Sequence, residues 1–275
     1  MRRLMYGSIT NQGVRIQYYR TGDEKPALIF LHGITDSAMC WNRLPLVFEP
    51  EYDVVLLDAR GHGLSDAPES GYSQVDMAGD VAALVQTLEL NHPVVIGHSM
   101  GAETAATFAA LYPQMVSAVV LEDPPWPETL WGKDPQEVAQ NAENFRQKIG
   151  YRKSLPVEEI IAIGRQEHPS WDESEYLQWA KAKQLVSPLV AQRYESQKMK
   201  WQDVVSKIKC DGLLLVAEVE KGALVTAEVA EEAKKLWRNL EVAHIPGAGH
   251  SIHREQYITT RDVIKKFLRK RRRYA

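Results

Sequence analysis

The sequence predicts an α/β protein: a mostly parallel central sheet flanked by helices, with a helical cap inserted late in the chain. Three observations carry this reading. Short runs of Val, Ile and Leu recur along the 275 residues, segments of helical period lie between them, and one interval is far too long for a simple crossover.

The elements follow in order. Residues 7–20 alternate as a hairpin does, turning at Asn11-Gln12-Gly13. Six apolar runs come next: "ALIFLHG" (27–33), "DVVLLDARG" (53–61), "PVVIGHS" (93–99), "SAVVLED" (117–123), "GLLLVAE" (212–218) and "EVAHIPGAGH" (241–250). Helical period marks residues 75–88, 102–112, 227–237 and 254–269. Continuous β-branched runs alternating with helices describe a parallel sheet covered on both faces.

The long interval separates the strand ending at Asp123 from the one opening near Gly212. Helical patterns fill it at 135–149, 157–167, 173–184 and 189–198, together with Trp126, Trp131, Trp171, Trp179 and Trp201, five of the chain's seven tryptophans. We assign residues 1–124 and 203–275 to the core and 125–202 to a cap over the carboxyl ends of the strands, where open α/β sheets bind ligands. Most of these tryptophans pack the cap onto the core. Trp126 and Trp131, just beyond a strand end, are the two expected to touch substrate, and so many indoles suggest an apolar or aromatic group.

Composition narrows the function. A net charge of −3 gives no electrostatic reason for a nucleic-acid or anionic-membrane partner, and the cluster Lys270 to Arg273 complements a helix C-terminus. Met1-Arg2-Arg3 is not followed by an apolar run, and no stretch approaches bilayer-spanning length. Cys40 and Cys210 form no CxxC pair and neither resembles a nucleophile, so reduced thiols in a cytoplasmic protein are expected.

The chemistry is written in "VVIGHSMGAE" (94–103). A strand, then Gly97-His98-Ser99-Met100-Gly101, then a helix is a turn so tight that only glycines fit beside its centre, leaving the serine oxygen exposed at the sheet's edge. "FLHGITDS" (30–37) places a second backbone amide, that of Ile34, where it can join that of Met100 at a developing oxyanion. "LDARGHGLSD" (57–66) is a glycine-rich loop after the following strand, and "HIPGAGH" (244–250) delivers His250 from the last one.

With these four motifs in this order, the chain resembles the α/β-hydrolases of the capped, small-molecule kind over essentially its whole length. The resemblance implies Ser99 as nucleophile and His250 as base, with His32, His62 and His98 structural. His253 lies three residues past His250, but no acidic or cysteine ligand joins them in a metal pattern. The acid departs from the usual plan. Family members carry it after the strand here written "LLLVA", in a G-x-x-D loop, where this chain has Ala217-Glu218-Val219-Glu220-Lys221-Gly222. Glu220 takes that place on one alignment. Some capped relatives, certain haloalkane dehalogenases and a mycotoxin lactonase among them, instead keep the acid twenty-four residues beyond the nucleophile. Here that residue is Asp123, in "LEDPPW". Asp123 is the first choice, Glu220 the second, and Glu122 is set aside because strand alternation points it elsewhere.

The expected activity is hydrolysis of a carboxylic ester or lactone through an acyl-enzyme, without metal or organic cofactor. A serine nucleophile argues against the dehalogenase and epoxide hydrolase branches, which use aspartate. The same triad leaves open carbon–carbon bond hydrolysis, a proline-type peptidase, and a small-molecule receptor with residual turnover.

Overall fold

A computed structural model of the chain describes residues 4–22, 24–127, 132 and 134–272. Eight strands form one sheet: β1 (Met5–Asn11), β2 (Val14–Arg20), β3 (Ala27–Leu31), β4 (Asp53–Leu57), β5 (Val94–His98), β6 (Ala118–Glu122), β7 (Asp211–Val216) and β8 (Leu240–His244). Their order across the sheet is β1-β2-β4-β3-β5-β6-β7-β8, antiparallel at β1/β2 and β2/β4 and parallel elsewhere. The hairpin turns on Gln12 (φ 51°) and Gly13 (φ 80°), the left-handed pair that a two-residue turn demands.

Strand alternation divides the core in two. Ile29, Leu31, Val55, Val95, Val119, Leu121 and Leu214 face one apolar layer, and Leu28, Phe30, Val54, Ile96, Val120 and Leu213 face the other. The second layer is covered by α1 (Leu44–Phe48) and, past the end of the sheet, by α11 (Tyr257–Arg272). The first is covered by α2 (Gln74–Thr87) and α3 (Met100–Leu111), joined near the end of the chain by α9 (Ala227–Leu236). Side chains start these helices: Ser73 and Asp76 form a reciprocal capping box for α2, and Thr226 caps α9.

The segment between β6 and β7 is helical, as its periodicity implies. It carries α4 (Pro135–Ser154), α5 (Val157–Glu167), α6 (Glu173–Leu185) and the short α7 (Gln192–Glu195). Asp134 accepts from the amides of Gln136 and Glu137 to open α4, and Asp172 accepts from Ser174 to open α6. The helix expected at 189–198 is reduced to a 3-10 turn over Pro188–Ala191 followed by α7. Side chains end it: Lys198 Nζ donates to the Arg193 carbonyl at 2.6 Å, and the Met199 amide donates to Gln74 on α2 at 2.9 Å. The following α8 (Trp201–Val205) straddles the expected boundary at 202/203 and buries Trp201, Val204 and Val205 in the sheet's first layer. The short α10 (Ile252–Glu255) leads into α11.

Candidate active site

Ser99 stands between the end of β5 and the first turn of α3 with φ 51° and ψ −115°, a conformation that side-chain-bearing residues avoid. Its neighbours explain the glycines. A Cβ on Gly97 would strike the Gly101 carbonyl and the Ala102 nitrogen, and one on Gly101 would run into the Leu31 carbonyl and lie 2.8 Å from that of His32. The elbow is tied to β6, since the Ser99 amide donates to the Glu122 carbonyl at 2.8 Å. Met100 opens α3, so its amide has no acceptor within the helix.

Two loops converge on Ser99. After β3, Gly33, Ile34 and Thr35 turn sharply, with Thr35 at φ 65° and the Asp36 amide closing the turn on the Gly33 carbonyl at 3.1 Å. After β8, the amides flanking His250 both donate to Glu255, Gly249 at 2.6 Å and Ser251 at 3.1 Å, and His98 Nε2 donates to the His250 carbonyl at 3.0 Å. Gly33, Ile34, Ser99 and His250 line one cavity of about 320 Å³.

Asp123 is the carboxylate beside the imidazole. Its Oδ2 lies 2.6 Å from His250 Nδ1, and its oxygens accept from the amides of Leu224 (3.0 and 2.9 Å) and Val225 (2.9 Å). It is fully buried and sits at φ 43°. Those amides belong to the loop after β7, where relatives usually place the acid itself. Here the loop supplies donors to a carboxylate at the end of β6, the neighbouring strand, while Glu220 is exposed. Glu122, one residue earlier, points the other way: its carboxylate receives the His253 amide at 2.9 Å and faces His253 Nδ1 at 2.8 Å. Burial resists its ionisation, yet His253 and His98 hold its acidity at about 2.

The remaining histidines of the glycine-rich loops are buried scaffolding. Burial pushes His98 and His62 down to about 3 and lowers His32, so these rings stay neutral. His32 Nε2 accepts from the Ala59 amide at 3.1 Å, and His62 Nδ1 donates to the Arg60 carbonyl at 2.9 Å. Burial likewise raises both thiols to about 12, which leaves Cys40 and Cys210 poor nucleophiles. Among the described residues no cluster of His, Cys, Asp and Glu is arranged to hold a metal, and no helix is long and apolar enough to cross a membrane.

The substrate-facing tryptophans need correction. Trp126 is buried away from the cavity, stacked on Trp201 of α8 with ring centres 5.1 Å apart. Trp131 lies outside the described residues. The indoles that line the cavity are Trp171 and Trp179, from and just before α6. The sequence marked both as cap tryptophans but offered no way to tell which faced inward.

Sequence reasoning also missed a buried charge network under the cavity. Lys183, from α6, places Nζ 2.9 Å from the Thr35 carbonyl, 2.9 Å from Thr35 Oγ1 and 2.9 Å from Asp36 Oδ1. Arg254 Nη2 holds the other Asp36 oxygen at 2.9 Å and its guanidinium stacks over Trp171 at 4.6 Å. Burial opposes ionisation of Asp36, but Arg254 and Lys183 outweigh it and keep the carboxyl far below the usual range. The α6 segment is thereby bolted to the loop that carries Ile34. Its only signal in the sequence was one of two lysines in a helical pattern, Lys181 and Lys183.

A hydroxyl at a helix start and an imidazole oriented by a buried carboxylate, lining one cavity, are parts needed to attack a carbonyl. Comparison with known proteins agrees with the fold. The sequence profile described as "alpha/beta hydrolase fold" matches residues 26–257, and the chain belongs to that family. It is 29% identical over 259 residues to the 2-(acetamidomethylene)succinate hydrolase of Mesorhizobium japonicum, spanning 88% of both chains. It is 26% identical over 249 residues to the N-formylmaleamate deformylase of Pseudomonas putida, spanning 90% of both. The crystal structure of E-2-(acetamidomethylene)succinate hydrolase superposes with a TM-score of 0.82 at 24% identity, covering 97% of this chain and 99% of that one, a likeness of fold. These relatives support a hydrolase.

Proposed function

We propose that the protein is a serine hydrolase that cleaves a carboxylic ester or lactone of a small molecule through an acyl-enzyme. The observation that carries this is the 2.6 Å contact between His250 Nδ1 and buried Asp123, made at the wall of the cavity that Ser99 lines. With Nδ1 engaged, His250 keeps Nε2 to take the Ser99 proton as the hydroxyl attacks the carbonyl carbon. The Ile34 and Met100 amides stabilise the oxyanion, and the protonated imidazole releases the alcohol. Water activated by the same nitrogen then frees the acid. This needs no metal or organic cofactor and no nucleic-acid or membrane partner. Two unpaired thiols, Cys40 and Cys210, support a reducing, cytoplasmic setting. The helical segment 125–202 acts as the lid over the site.

Hydrolysis of p-nitrophenyl esters from acetyl to dodecanoyl, with Ser99→Ala beside the wild type, tests the reading. Turnover lost in the variant supports it. No turnover, together with no labelling of Ser99 by a fluorophosphonate, overturns it. Amide hydrolysis on the same groups is the second reading, supported by relatives named as an acetamido-compound hydrolase and a deformylase. A parallel series of N-acyl anilides separates the two.

A further inference from the structure

The cavity joins the apolar surface that a tryptophan-rich segment suggests to a set of charged side chains. Among the described residues four cationic side chains line it, Lys148, Arg152, Lys183 and Arg254, against two carboxylates, Asp36 and Glu167. Lys183 and Arg254 are both spent on Asp36, and Arg254 also pairs with buried Glu175 at 3.5 Å, which leaves Lys148 as the unpaired cation of the four. The other two come from α4, where Phe145, Lys148, Ile149 and Arg152 recur at helical spacing and turn one face into the cavity. Lys148 and Arg152 thus stand one turn apart on that face.

Arg152 is paired and held in place, yet not all its donors are used. Its Nη2 donates to Glu167 at 2.5 Å, its guanidinium lies 5.6 Å over the Trp179 ring, and its side chain is only 11% exposed, whereas that of Glu167 is 44% exposed and hydrated. Ion pair and stacking fix the plane of the guanidinium, leaving other N–H groups to donate. Lys148 has no carboxylate partner among the described residues. Trp171 lines the same cavity and is 6% exposed, its ring stacked on His168 with centres 4.0 Å apart. An unpaired lysine one turn from a fixed guanidinium in one cavity calls for an acceptor-rich anion.

We propose that the substrate carries a free carboxylate on its acyl part, received by Arg152 and Lys148 on α4, while the scissile carbonyl sits at Ser99. This deepens the hydrolase reading and rests on it for turnover, though not for binding. A planar carboxylate suits the fork of an arginine better than a point charge does. The indoles of Trp171 and Trp179 then flank the short apolar link between the two ends.

Two measurements test it. The first is the ratio of kcat/KM for mono-4-nitrophenyl adipate to that for methyl 4-nitrophenyl adipate, its neutral counterpart. A charge-assisted hydrogen bond sets the expected preference at about ten- to a hundredfold for the free acid. Arg152→Met and Lys148→Met should each collapse that ratio, and Lys148, being exposed, can be replaced without threatening the fold. The second is independent of turnover: adipate should raise the melting temperature of the wild type, 1,6-hexanediol should not, and Arg152→Met should abolish the shift. Equal ratios in wild type and variants, with no adipate-specific shift, overturn the carboxylate site while Ser99 labelling by a fluorophosphonate still upholds the hydrolase. An adipate shift lost in Arg152→Met, with Ser99 unlabelled, upholds the site and removes the catalytic reading.

Discussion

Replacing Lys183 by Met tests whether α6 holds the oxyanion loop in working order. The ammonium makes three contacts of 2.9 Å, to Thr35 twice and to Asp36 once, and both partners of the ion pair are under a tenth exposed. Removing one member of a buried pair commonly costs about 3–5 kcal/mol because a charge is left behind. Asp36 keeps Arg254 at 2.9 Å, so the lower end, about 3 kcal/mol, is expected, and a domain with about 5–15 kcal/mol in hand still folds. The catalytic effect is separate. Thr35 holds φ 65° beside Ile34, and without the clamp on its carbonyl the turn can relax and swing the Ile34 amide away. Losing one oxyanion donor lowers kcat by about 10²–10³, and a misaligned donor by a fraction of that. Steady-state kinetics on the best nitrophenyl ester, run beside thermal melts, should show kcat falling at least about tenfold and by more than KM rises. A lowered melting temperature with kcat held within about threefold would refute the clamp and leave Lys183 a stabilising residue only.

Two further outcomes are expected. Asp123→Asn should cut kcat by roughly 10⁴ while the protein still folds, since the amides of Leu224 and Val225 can donate to the remaining oxygen; Glu220→Gln should leave the rate alone, and the same ester assay reads both. Stability should fall in acid. His62 and His98 sit at about 3 when folded and at 6.5 when unfolded, so the unfolded chain binds protons first. Their contribution is whole above pH 6.5 and drains as pH falls toward 3, with Glu122 adding a loss from 4.5 toward 2. At ~1.4 kcal/mol per unit and ring, about 4 kcal/mol should vanish between pH 7.5 and pH 5, visible in urea midpoints; a flat profile would show that these rings are not neutral inside.

Much of this was legible beforehand because the strongest signals are local. The strand runs open within one residue of β3 to β8, though those at 53–61 and 241–250 run on into the loops beyond β4 and β8, and Gly97, Ser99 and Gly101 announce their elbow through sterics that involve only neighbours in chain and sheet. Asp123 was reachable by counting from the nucleophile, although only the fold shows that Leu224 and Val225 turn their amides on it. What escaped depends on contacts between distant segments. Nothing in a helical pattern says that Lys183 reaches Asp36, 147 residues away, or that Trp126 stacks on Trp201 while Trp171 faces the cavity. The lost helix after residue 189 is of the same kind: Gln74 on α2 draws the chain away from its own hydrogen-bond pattern.

The turn after β7 has been relieved of a duty. It grips the Asp123 carboxylate through Leu224 and Val225, yet Glu218 to Gly222, immediately before, are half-buried or exposed and touch neither Ser99 nor His250 with a side chain. Its backbone instead props the loop that delivers His250: the Glu218 amide donates to the Ala248 carbonyl at 3.0 Å, and the Lys221 carbonyl sits so close to Gly249 that no side chain fits there. A segment that once would have carried the acid now serves as a buttress for the base, so lengthening it between Val219 and Gly222 should disturb His250 before it disturbs Asp123.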